Sequence, residues 1–215
     1  MLHRDIERTA HELGVDGPAW RWLHEHFSHH PFETVENTMG PLLRIPPHPF
    51  DMVRLGALGA LPAATIAGLL FRSGAAKALF AGSSAHATLP LTHVLTSAFG
   101  ITFGALGHST GWPVAEGGSG SITDALARVV LAHGGRIETN AEVTDLRDLP
   151  EADAVLLDLT PKQILRVAQE QLESRYAAHL AGWKYGVGVH KIDYLLDGPV
   201  PWADQRVTGA GTVHV

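Results

Sequence analysis

Between Gly111 and Asp145 the chain changes character, and that change constrains the fold more than any other feature. Ahead of it, apolar residues recur at helical spacing. Within it, a glycine-rich turn, Gly117-Gly118-Ser119-Gly120, precedes a segment with Ile122, Leu126, Val129 and Val130 on one face and Ala125 and Ala127 on another. That spacing predicts a helix near 121–133, stopped by Gly134-Gly135. Arg136-Ile137-Glu138-Thr139 then reads as a strand, Asn140-Ala141 as a turn, and a second short run extends through Val143. A glycine loop ahead of a helix suits an anion, because free N–H groups and the helix dipole point at it. The spacing is not G-x-G-x-x-G, and no Lys-Ser/Thr follows as in a P-loop. A tight loop capped by Ser119 or Ser121 is the alternative.

Ahead of this stretch, residues 1–110 read as helical. A short helix over His3–Leu13 stops at Gly14. Asp16-Gly17-Pro18 opens a second, with Trp20, Leu23 and Phe27 on its apolar face and Pro31 at its end. Phe32–Leu43 reads as a third, followed by a rigid Pro46-Pro47-His48-Pro49 loop. Met52–Phe71 is twenty residues long, enough to span a bilayer, but it contains Arg54, glycines and a splitting Pro62. It reads as two buried or half-buried helices, with a membrane-facing opening for a lipid-like substrate as the sharper alternative. Gly74–Phe80 is a further short helix, 82–86 a loop, and Leu91–Leu106 a long apolar helix.

Past Asp145, the apolar run Asp153–Leu159 has the look of a buried parallel strand, broken by Thr160-Pro161, where a helix begins. A helix over Gln171–Leu180 follows. Gly186–Leu196 alternates as a strand does, with Lys191 on the face of Val189 and Asp193. The expected fold class is therefore α+β, a mixed α/β chain in three parts: helices over 1–110, an α/β unit over 111–161, and helices with part of a sheet over 162–215.

Composition excludes several functions. The net charge is −6 with no basic block, which argues against nucleic acid as a partner. With no cysteine there is no disulfide, thiol catalysis or thiolate metal site, which fits a cytoplasmic location. The first twenty residues carry charges at Arg4, Asp5, Glu7, Arg8 and Glu12 among others, and no apolar core of a signal peptide. His24, His26, His29 and His30 crowd one segment, and His26 and His30 are spaced as two ligands on a helix. No H-E-x-x-H pattern or third ligand accompanies them, so they read as solvated helix residues and no metal is expected. His86, His93 and His108 lie in apolar sequence, where a histidine is a hydrogen-bonded core residue or a pocket acid–base.

Several runs carry a resemblance to a known family. Gly111-Trp112-Pro113, Glu116-Gly117-Gly118-Ser119-Gly120-Ser121, Asp124-Ala125-Leu126-Ala127 and the Gly134–Val143 segment resemble the middle of FAD-dependent oxidoreductases of the phytoene dehydrogenase-like and amine-oxidase-like group. Leu79–His86 followed by Pro90-Leu91, His108, and Lys191–Trp202 are similar to runs of the same family. The resemblance implies a helical cap over the substrate site, a return segment of the FAD domain and part of a substrate-domain sheet. It implies that Val143 pairs with the adenine end of FAD, that Thr160 and Pro161 pass near the dinucleotide, and that Lys191 reaches the flavin N5 through water. The alternative for Lys191 is a strand lysine paired with a carboxylate. The substrate would be a small apolar or amine compound that gives up a hydride.

The family's N-terminal strand–G-x-G-x-x-G–helix motif does not occur in this sequence, nor does its C-terminal flavin-lining segment. The resemblance thus reads the chain as a central, truncated fragment, inactive by itself, with FAD binding weak or absent. It predicts a homo-oligomer joined through unpaired strand edges, no transmembrane span, and room for a peripheral membrane contact. The alternative is a non-catalytic helical module that holds a hydrophobic ligand or a protein partner.

Overall fold

In unit 1 of the computed structural model, α7 (Thr96–Ser109) is the element on which the other helices pack. The structure describes residues 1–40, 44–168, 170–186 and 188–213. It divides into two units, Met1–Val114 with Asp193–Val215, and Ala115–Ile192.

The first unit carries α1 (Ile6–Leu13), α2 (Gly17–His29), α3 (Pro31–Thr38), α4 (Pro49–Gly59), α5 (Ala63–Leu70), α6 (Gly74–Ser84) and α7. Trp20, Leu23, His24 and Phe27 share one face of α2 and are all buried. They meet α7 along a stripe of small residues. A Cβ at Gly104 would lie 2.5 Å from the His24 Nε2, and one at Gly100 would lie 2.7 Å from the Phe80 ring. Those glycines let α2 and α6 approach closer than any side chain would allow. Phe71, Phe80, Ile66, Ile101 and Ala105 complete the core.

Side chains close the helix ends. The buried Asp16 carboxylate accepts the Arg72 and Ser73 N–H groups at 2.8 Å each, and Ser73 Oγ accepts the Ala76 N–H and caps α6. Thr96 Oγ1 accepts the Ala63 N–H at the start of α5, while Ser97 Oγ sits 2.6 Å from the Leu58 and Leu61 carbonyls at the end of α4. The Met52–Phe71 stretch is split at Pro62, as the sequence predicts, into α4 and α5, which are bent by 87°. Among the described residues no single helix is long and apolar enough to cross a membrane. The inner faces of this pair, Leu55, Gly59, Ala63, Ile66 and Ala67, are buried in the first unit. The long helix expected over 91–106 begins only at Thr96, and α3 ends at Thr38, with 41–43 outside the described residues.

Ala115–Ile192 carries α8 (Gly120–Ala132), α9 (Pro161–Ala168) and α10 (Ser174–Ala181). Here the α+β expectation is overturned. No strand occurs among the described residues, so this is an all-α chain with long irregular segments. The segments 136–139 and 154–159 and the described part of 187–196 contain no strand and enter no ladder; Val187 lies outside the described residues. Neither the FAD-domain α/β unit nor the substrate-domain sheet therefore forms. The reason is that a strand is stable only when its backbone finds a second strand and its apolar face finds cover. Leu156 is 93% exposed, and α8 buries none of Ile122, Leu126, Val129 or Val130.

Candidate functional site

A groove of about 450 Å³ lies on one side of α9. Val143, Leu146 and Leu149 form one wall, the 155–159 run another, and Gln163, Arg166 and Val167 of α9 a third. Spacings of three and four put these α9 residues on one helix face. A second groove of about 500 Å³ flanks the other side of the 155–158 run, against Ile164, Leu172 and Tyr176.

Ion pairs fasten the first wall. Arg147 Nε donates to both Asp145 carboxylate oxygens, and Arg147 Nη1 donates to Glu170 at 2.9 Å, just beyond the end of α9. The hydrogen bond from Arg147 holds the Asp145 carboxyl below the usual carboxylate range. At the start of α9, Gln163 Oε1 accepts from the Thr160 N–H at 3.0 Å and from its hydroxyl at 2.8 Å. This is half of a capping box, legible in the sequence as Thr160-x-x-Gln163. The Lys162 N–H donates to the Tyr185 hydroxyl, and the Lys162 ammonium sits 5.2 Å over that ring. The helix start is thus largely satisfied by its own unit and is not an open anion site.

Two of the four residues the sequence singled out meet here by different routes. Val143 lines the groove, and Thr160 is tied to the groove residue Gln163. Pro161 is the first residue of α9. Lys191 lies on an exposed irregular segment outside the groove lining. Sequence reasoning missed Gln163, Arg166 and the Asp145–Arg147–Glu170 ion pairs; only the capping spacing pointed to any of them.

The glycine loop ahead of α8 lies outside both grooves. Gly117 and Gly118 have φ of +80° and +89°, so they turn the backbone where other residues strain. A Cβ at Gly118 or Gly120 would meet nothing within 4 Å, so no close approach depends on them. Ser121 Oγ donates to the Gly118 carbonyl, and Ser119 makes no cap.

In the first unit, a buried cluster centres on Trp20. Its Nε1–H donates to His108 Nε2 at 2.8 Å, and His108 Nδ1–H donates to the His3 carbonyl at 2.8 Å. His24 stacks on Trp20 at 4.3 Å and gives its Nδ1–H to the Trp20 carbonyl. His24 is therefore a core residue, not a solvated one. Burial above all holds its pKa down to about 4, and burial likewise lowers that of His108. His24 Nε2 has no hydrogen-bond partner, although the Gly100 carbonyl lies close enough to the ring to favour its charged form slightly. Nε2 faces the Gly104 backbone, which leaves no space for a ligand. Other histidines pair with carboxylates: His26 with Asp51 at 2.6 Å and His48 with Glu36 at 2.9 Å. Among the described residues no group of three or more His, Asp or Glu is arranged to hold a metal ion.

No known family model matches the chain, and no curated protein or solved structure matches it.

Proposed function

We propose that this chain is the central part of an FAD-dependent oxidoreductase, supplying a helical cap for a small apolar or amine substrate and the adenine-side wall of the cofactor site. One observation carries the reading: Val143 lines a groove whose Gln163 is hydrogen-bonded to Thr160, far from Val143 in the sequence. The groove's volume is within the range of about 300–1,000 Å³ of small-ligand pockets. Its donors and apolar walls fit the adenosine end of the cofactor. The G-x-G-x-x-G loop that would cradle the pyrophosphate does not occur in this sequence, and the glycines before α8 do not line the groove. That loop would have to come from other polypeptide, and Lys191 would belong with the flavin end. Bound flavin would accept the hydride; the residues of this chain orient and enclose.

The test is a titration of the purified chain with FAD and, separately, with FMN, which lacks the adenosine. Weak FAD binding, no FMN binding, and loss of the FAD signal in Val143→Lys are expected. Equal binding of FAD and FMN, or an unchanged Val143→Lys, overturns the reading. A stoichiometric yellow complex purified from cells would also overturn it, because a chain without the pyrophosphate loop should not retain flavin.

A second reading, a helical module that binds a hydrophobic ligand, has its own observation. His86, Phe103 and Trp112 stack nearly parallel, at 4.8 and 5.2 Å between neighbouring rings. Phe99 lies beside them, 6.2 Å from Phe103. Trp112 is 56% exposed, so an apolar ligand that stacks there should quench its fluorescence, and Trp112→Phe should remove that response.

A further inference from the structure

We infer that the α9 groove is a nucleotide site in which Arg166 takes the phosphate, which extends and rests on the reading that adenine lies against Val143. Four polar side chains line this groove: Glu142, Asp158, Gln163 and Arg166. Gln163 has committed its oxygen to Thr160 and so presents only its amide N–H groups. Among the described residues Arg166 and Glu142 make no ion pair or side-chain hydrogen bond, whereas Arg147 next to them is neutralised by Asp145 and Glu170.

A guanidinium that makes no ion pair at the groove can take a phosphate or a carboxylate, which it holds with two parallel N–H bonds. The rest of the lining chooses between them. A fatty acid would engage Arg166 and the apolar walls but offers no donor to Glu142 or Asp158. A nucleoside monophosphate engages all of these: the phosphate on Arg166, the sugar hydroxyls and the base amino group as donors to Glu142 and Asp158, and the flat base between Val143 and the leucines of the 155–159 run. The inference names a residue on the second turn of α9, outside the runs that carry the family resemblance.

The experiment is calorimetric titration of the full chain with AMP and with adenosine, for the unaltered protein and for Arg166→Gln. Arg166 is an exposed helix position, and glutamine has a similar helix propensity, so the variant should fold with an unchanged far-UV spectrum. AMP should bind at least about tenfold more tightly than adenosine, the value of one charge-assisted contact. In Arg166→Gln that preference should vanish, with adenosine affinity unchanged. Equal binding of AMP and adenosine by the unaltered chain, a preference that survives in Arg166→Gln, or no AMP binding at all overturns the inference. The adenine-site reading fails separately: if Val143→Lys leaves adenosine and FAD binding intact, Val143 is no part of the site, whatever Arg166 does.

Discussion

A histidine with one ring nitrogen unsatisfied in a packed core is the most consequential single residue here. Unfolded, His24 takes a proton near its ordinary value of 6.5; folded, burial holds it down to about 4. As the pH falls from 6.5 towards 4, the unfolded chain gains a proton that the folded one refuses. Stability is therefore complete above about pH 6.5 and is lost progressively through that window, by roughly 3 kcal/mol for a fully buried ring. His108, lowered by burial as well, acts in the same direction. Glu12, held down to about 2 chiefly by its hydrogen bond from His3, loses its contribution only at lower pH. Urea unfolding between pH 4 and 7 should show the drop, and His24→Leu should flatten most of it. An identical pH profile in the variant would locate the acid lability elsewhere.

At the scale of elements, Gly104→Ala and Asp16→Ala probe how α7 and α6 are held, with Gly118→Ala as a comparison. Gly104→Ala puts a methyl group 2.5 Å from the His24 ring, so α2 and α7 must separate. Overpacking of this kind costs about 1–3 kcal/mol, and the thermal midpoint should fall by several degrees. Gly118→Ala, where a Cβ meets open space, should disturb no packing and cost only the strain of its φ of +89°. Asp16→Ala leaves the Arg72 and Ser73 N–H groups unsatisfied at the start of α6, a loss of about 2 kcal/mol or more. If Asp16→Ala melts with the unaltered chain, water replaces the carboxylate and this cap contributes little.

For the molecule as a whole, exposure of apolar side chains sets the expectation. The apolar face of α8 is uncovered, and among the described backbone groups of 155–159 none is paired with another. Such an edge, with apolar side chains alongside, recruits partners. The chain is expected to form dimers or larger species at micromolar concentration, and Leu156→Lys should shift light scattering towards the monomer. A monomer throughout a wide concentration range would show that these surfaces are quiet.

Helical spacing at Trp20, Leu23 and Phe27, the break at Pro62 and the stop at Gly134 were local properties, and the sequence by itself determined them. Helix hydrogen bonds close within four residues, so the information lies next to where it acts. The capping spacing Thr160-x-x-Gln163 was legible for the same reason. The strand-like runs at 136–139 and 187–196 and the apolar run at 154–159 carried real strand patterns, but such a pattern states only what a segment can pair as. Whether it pairs depends on a partner far along or outside the chain, and the tertiary structure decided against it. Burial of His24 was likewise undecidable from a cluster of four histidines, because it depends on the flat face of α7 at Gly100 and Gly104, some eighty residues away in sequence. The groove belongs to that second kind: Val143 stood out in the sequence, while Arg166 became visible only once α9 was folded against the 142–149 segment.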